Sequence, residues 1–292
     1  MHITRRTFIR TGIATSVATF DPRVWAHVAA ERNVELRVGV PDWSLGQSAQ
    51  LEAIPMASKI GFEGVQISLG TATDGVLPLS DRARQQAYLE SARGAGIPIT
   101  SCRVEMLHRN YLPRRDPLAP KWIAQAVPIA KALGLKVILV PFFGDGAIKT
   151  SDEMDYVGDV LRELAPAAEQ AGVTLGLEDT ISARDNVRIM ERSKSPAVLT
   201  YYDVGNSTDN GFDIVEEIRW LGRQRICEVH LKDNPHYLGE GKIDFVAVLR
   251  ALGDIGFTGW SQLETTSPTK NIEADMKRNL TYIRKLMNDS PR

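Results

Sequence analysis

From Leu36 onward the chain repeats one unit eight times: a short apolar run, then a segment of helical periodicity. That alternation restricts it to a parallel sheet with helices packed outside. The apolar runs predict strands over 36–41, 64–68, 98–102, 136–140, 174–178, 198–203, 226–231 and 260–264. Helices are predicted over 47–59, 80–94, 118–132, 151–171, 184–193, 211–220, 244–252 and 270–287. The last helix can close an outer ring, so the fold read from this order is a single (β/α)8 TIM barrel over residues 31–292. The segment 151–171 shows the logic locally. Thr150 and Glu153 form a capping box, Met154, Val157, Leu161, Leu164 and Ala168 return at near-helical spacing, and Gly172 supplies the stop. An internal echo supports the repeat: Lys59-Ile-Gly-Phe-Glu-Gly-Val and Asp254-Ile-Gly-Phe-Thr-Gly-Trp each run into a strand. Glycines 96, 134 and 172 mark further helix-to-strand turns, and neither a dinucleotide fingerprint nor a phosphate-binding loop occurs.

Composition removes several classes of function. With 43% hydrophobic and 24% charged residues the chain can bury a large core. A formal charge of -1 without a basic block offers no footprint for nucleic acid or an anionic membrane, and a small polar partner is expected instead. No run approaches the roughly 20 apolar residues that span a bilayer, so no stable membrane insertion is expected.

The first thirty residues read separately. Arg5 and Arg6, followed by a mildly apolar run from Gly12 to Phe20 and small residues at Val28-Ala29-Ala30, resemble a twin-arginine export signal. On that reading residues 1–30 engage the twin-arginine translocase and the protein works in the periplasm or is otherwise exported. A basic amphipathic tail on a cytosolic protein is the other reading. Removing 1–30 leaves 31 basic against 35 acidic residues, a charge of -4. Cys102 and Cys227 fall in separate predicted strands and are read as isolated thiols. The pattern singles out no subunit interface, and the oligomeric state is left open.

The chemistry gathers at the carboxyl ends of the last four strands: Glu178, Asp203, His230 and Glu264. A closed barrel brings those ends together above its core, where catalytic groups collect. Three carboxylates and one imidazole suit a hard or borderline divalent cation, Mn²⁺ or Mg²⁺ first and Co²⁺ or Zn²⁺ as further options, and the cation would offset the repulsion among the acids. On the opposite half of the mouth, Trp43, Gln66, Glu105, His108 and Phe142 are candidate pocket-wall residues. The aromatics there can cover an apolar face of a bound molecule, and the polar groups can select its hydrogen-bonding groups.

With these motifs in place, the chain resembles the xylose-isomerase-like barrel superfamily of sugar isomerases and epimerases, nearest to its ketose 3-epimerase branches. The resemblance rests on Glu178, Asp203-Val-Gly-Asn206, Val229-His-Leu-Lys-Asp233, Gly239-Glu-Gly-Lys-Ile-Asp244 and Gly259-Trp-Ser-Gln-Leu-Glu264. It implies that Glu178, Asp203, His230 and Glu264 are the metal ligands and that Glu178 and Glu264 also form an acid–base pair. Asn206 stands where ketose epimerases often carry a histidine, and it can bind a hydroxyl without titrating. Lys232 can polarise a substrate oxygen or serve as a salt-bridged strand-end residue. The implied activity is metal-dependent isomerisation or epimerisation of a small carbonyl sugar or sugar derivative, by proton abstraction beside the carbonyl. A lyase or dehydratase acting on a keto sugar or 3-keto-glycoside, and a sugar-binding barrel without turnover, are the alternatives. A nuclease is disfavoured by the lack of a basic stripe.

Overall fold

Strands β1 (Arg37–Pro41) and β2 (Gly64–Ser68) open the sheet, and β-branched residues at alternate positions give each of them a buried outer face. In this computed structural model, which describes residues 36–72 and 74–289, the remaining strands are β3 (Ile99–Arg103), β4 (Val137–Pro141), β5 (Thr174–Glu178), β6 (Val198–Asp203), β7 (Ile226–Leu231) and β8 (Trp260–Leu263). All neighbours pair in parallel and β8 returns to β1, so the sheet is a closed eight-stranded barrel. The helices between them are α1 (Ala53–Ile60), α2 (Arg82–Ala95), α3 (Ala119–Ala132), α4 (Ser151–Ala171), α5 (Ala183–Ser193), α6 (Val204–Asp209), α7 (Ile214–Leu221), α8 (Phe245–Asp254) and α9 (Ile272–Asp289). The export-signal expectation lies outside the described residues. No helix among the described residues is long and apolar enough to cross a membrane.

Local chemistry explains most boundaries. The capping box at Thr150 and Glu153 starts α4, and Gly172 ends it at φ 67°. The two echoed turns also share one device, with Gly61 at φ 107° and Gly256 at φ 67°. Two helices differ from expectation. The segment expected to be helical from 47 begins at Ala53, because residues 42–50 fold around the buried carboxylate of Asp42, which accepts the N–H groups of Ala49 and Ser68. The helix expected over 211–220 is α7, which starts later under its Asp213 cap, and a further short helix that was not expected, α6, is capped by Asp203 directly after β6 and ends before the turn at Gly211.

The core has two compartments. Val38, Val40, Val65, Ile67, Ile138, Val140, Leu175 and Leu177 face outward and pack with Ile54, Ala126, Leu161, Leu249 and Leu280 of the helices. Inside the ring, Val137, Leu139 and Tyr201 form a smaller cluster. Beside it the lumen is polar. Ser101 on β3 donates to Glu228 on β7 at 2.8 Å, and those strands stand opposite each other in the ring, so the bond crosses the lumen. Tyr201 and Gln262 donate to the same carboxylate oxygen. Both cysteines are free thiols, Cys102 buried and Cys227 partly so.

Candidate metal centre

Parallel pairing puts the ligands at one height. Asp203 is in register with His230, and His230 with Gln262, while Glu178 ends β5. Glu264 sits one residue past β8, yet its N–H still donates to Leu231 O, which holds it in the ladder. Ligand atoms of Glu178, Asp203, His230 and Glu264 all lie within 4.8 Å of one another. A cation bound at about 2.0–2.6 Å from each donor can therefore be reached by all four. His230 Nδ1 lies 2.7 Å from Glu178 Oε1, 3.5 Å from Asp203 Oδ2 and 3.6 Å from Glu264 Oε2. Glu178, Asp203 and His230 are buried. Three oxygens and one nitrogen fit a divalent ion.

The electrostatics are those of a crowded anionic site. Burial, with Glu264 and Asp203 adding to it, raises the carboxyl of Glu178 to about 7 against the pull of His230. Burial would lower His230, but Glu178, Glu264 and Asp203 outweigh it and lift the imidazole to about 10. Burial works against ionisation of Asp203 and Glu264 too; there the Lys232 ammonium wins and holds both below the ordinary carboxylate range. Lys232 Nζ lies 2.7 Å from Asp203 Oδ2 and 2.6 Å from Glu264 Oε2.

The wall candidates separate into groups. Trp43 joins the centre: its indole donates to Glu264 Oε1 at 2.7 Å, and its ring meets His230 edge-on at 6.0 Å. Gln66 is fully buried, with Oε1 3.0 Å from His230 Nε2. Glu105 is part-buried beside Ser48 and Arg103. His108 stacks on Phe143 at 6.3 Å, and burial together with Arg103 lowers its pKa. Phe142, 1% exposed, packs into the core while its N–H donates to Glu178 O; the next residue along the chain, Phe143, is the aromatic that meets His108. Asn206 contributes its backbone N–H to Asp203 Oδ1, and its side-chain Nδ2 is buried without a partner.

Sequence reading missed Arg103, whose guanidinium lies 3.8 Å over the Trp43 ring. Its position at the carboxyl end of β3 was the available signal. The Gly239–Gly241 turn is organised by Asp233, which accepts the N–H groups of Gly239, Gly241 and Lys242.

Buried carboxylates gathered where a barrel's loops give access place the protein in the class of metal-dependent barrel enzymes. Comparison narrows the class: the chain belongs to the xylose isomerase-like TIM barrel family, whose model matches residues 54–286. It is 27% identical over 203 residues to the 2-epi-5-epi-valiolone 7-phosphate 2-epimerase of an Actinoplanes species, covering 68% of this chain and 73% of that protein. It is 26% identical over 239 residues to the L-ribulose-5-phosphate 3-epimerase UlaE of Escherichia coli, covering 75% and 83%. A solved L-ribulose 3-epimerase superposes with a TM-score of 0.73 at 18% identity, over 87% of this chain and 95% of the other, a likeness of fold.

Proposed function

We propose that the protein is a divalent-metal-dependent epimerase or isomerase of a small carbonyl sugar or sugar derivative. One observation carries the reading: two glutamates, Glu178 from β5 and Glu264 from the end of β8, enter the same four-ligand cluster from strands three apart in the ring. A substrate carbon between them has a carboxylate on each side. Relatives named as a 2-epimerase and a 3-epimerase favour epimerisation over isomerisation.

Glu178, Asp203, His230 and Glu264 would hold a divalent cation, which when bound would supply Lewis acidity beside the substrate oxygens. Mn²⁺ or Mg²⁺ suits the three oxygens and one nitrogen best, with Co²⁺ or Zn²⁺ also compatible. One glutamate takes the proton beside the carbonyl. The other returns a proton to the opposite face for epimerisation, or to the neighbouring carbon for isomerisation. Trp43 fixes Glu264 through Oε1, so the geometry of one carboxylate is set before substrate arrives. Asn206, Glu105 and His108 are the candidates for contacts to substrate hydroxyls, and the Trp43 and Phe143 rings for a sugar face.

Metal-loaded protein incubated with ketoses and keto sugars in D₂O tests this by NMR. Deuterium entering beside the carbonyl, with a new diastereomer, is the expected outcome. Saturable binding with no exchange would leave a sugar-binding barrel, and loss of water or of a glycosidic substituent would mark a lyase.

The export reading of residues 1–30 belongs to this proposal, supported by Arg5, Arg6 and the apolar run that follows. Replacing both arginines by lysine should retain the protein in the cytoplasm on fractionation. Unchanged distribution would favour the basic-tail alternative.

A further inference from the structure

Three of the four ligands have a second polar atom held by the fold. Glu264 Oε1 accepts from the Trp43 indole at 2.7 Å, Asp203 Oδ1 accepts from the Asn206 N–H at 2.8 Å, and His230 Nε2 lies 3.0 Å from Gln66 Oε1. The third contact differs in kind, because a ring nitrogen can be either donor or acceptor. A neutral imidazole carries one N–H, and whichever nitrogen bears it is closed to a cation. Nδ1 is the nitrogen that faces Glu178, Asp203 and Glu264. It can serve as a ligand only if Nε2 holds the proton.

We propose that Gln66 is a positioning residue for the metal centre: its amide oxygen accepts the Nε2 proton of His230, which fixes one tautomer and leaves the Nδ1 lone pair for the cation. The inference rests on the metal-centre reading above. Both side chains are fully buried, so water does not compete for Nε2. The contact links β2 to β7 through the mouth of the barrel, which fixes the ring's orientation as well as its proton. Ligating histidines in general depend on such an outer partner.

Charge explains why the partner is an amide. Glu178, Asp203 and Glu264 contribute three negative charges and Lys232 one positive, leaving two to be matched by a divalent cation. A carboxylate at position 66 would accept the same proton but overcharge the site. The amide supplies the acceptor without the charge.

Gln66→Met, which keeps the volume and removes the acceptor, and Gln66→Glu, which keeps the acceptor, make the test. Zn²⁺ and Mn²⁺ affinities are measured by chelator competition, and fold is checked by circular dichroism. Gln66→Met should weaken binding roughly 10–100-fold, the usual effect of losing an outer-shell partner, and Gln66→Glu should recover most of it. In the Zn²⁺-loaded wild type, ¹⁵N NMR of His230 should show a proton on Nε2 and metal on Nδ1. Metal on Nε2, or a folded Gln66→Met protein with unchanged affinity, overturns the role of Gln66 while the metal centre stands. Wild-type protein that binds neither ion overturns the metal centre and this inference together. The wild-type spectrum decides the tautomer even if the methionine variant does not fold.

Discussion

The stem of Lys232 lies directly against Gly205: a Cβ built on that glycine would stand 2.5 Å from Lys232 Cγ and 3.0 Å from Cε. Two sequence motifs are thereby one device. Asp203-Val-Gly supplies a ligand and then a gap, and His230-Leu-Lys supplies a ligand and then the cation that crosses the gap to Asp203 and Glu264. Gly205→Ala should gain at most about 1 kcal/mol of helix propensity and lose about 1–3 kcal/mol to overpacking. A net destabilisation in urea unfolding is the expected sign, and a stabilised variant would mean that the lysine stem moves aside at no cost.

Lys232 compensates carboxylates that a bound cation would compensate as well. Lys232→Met should therefore destabilise the metal-free protein by about 3 kcal/mol, the scale of breaking a buried ion pair. Saturating Mn²⁺ should narrow that gap. Denaturation curves with and without metal decide it, and equal losses under both conditions would refute shared compensation.

Metal binding should release protons. The imidazole of His230 in the metal-free protein stays charged up to about pH 10, well above its ordinary 6.5. A cation at Nδ1 must displace that proton, so affinity should fall about tenfold for each unit the pH drops below 10. Below about pH 7, where Glu178 is also protonated, the fall should steepen. Calorimetry in buffers of different ionisation enthalpy counts the protons. His230→Ala should bind more weakly and lose the slope between pH 7 and 9, and a wild-type affinity independent of pH would contradict the coupling.

Replacing Glu178 or Glu264 by Gln preserves shape but removes a proton acceptor. Each variant should lose about 10²–10⁴-fold in proton exchange, the range expected for a general acid or base. The readout is solvent deuterium incorporation under saturating metal. Full exchange in either variant removes that residue from the pair.

Asp275 gives an acid-stability prediction away from the mouth. It is buried and accepts from Tyr237, Ser267 and Thr269, tying the segment after Glu264 to α9. Burial alone would raise its carboxyl, but those donors outweigh it and hold the group at about 2. A carboxyl lowered on folding contributes stability that is complete above its ordinary 3.8 and disappears as pH falls towards 2. Asp275→Asn should cost roughly 1–3 kcal/mol at pH 7 and less at pH 3. Urea midpoints at the two pH values make the comparison, and an equal loss at both would detach the effect from ionisation.

The sequence by itself determined the barrel and the height of the ligands. Alternating apolar runs place Glu178, Asp203 and His230 at strand ends, and parallel pairing carries all such ends to one rim. Capping residues and turn glycines are local signals of the same kind, and they set most helix boundaries. The tertiary structure alone decided which atoms meet. Gln66 reaches His230 across 164 residues and Trp43 reaches Glu264 across 221, contacts made by ring closure that no local periodicity encodes. Phe142 and Phe143 differ for a related reason: in adjacent aromatics the composition is the same, and only the path of the chain after β4 turns one into the core and the other towards His108. Strand ends are fixed by short-range pattern, whereas side-chain partners are fixed by closure of the barrel.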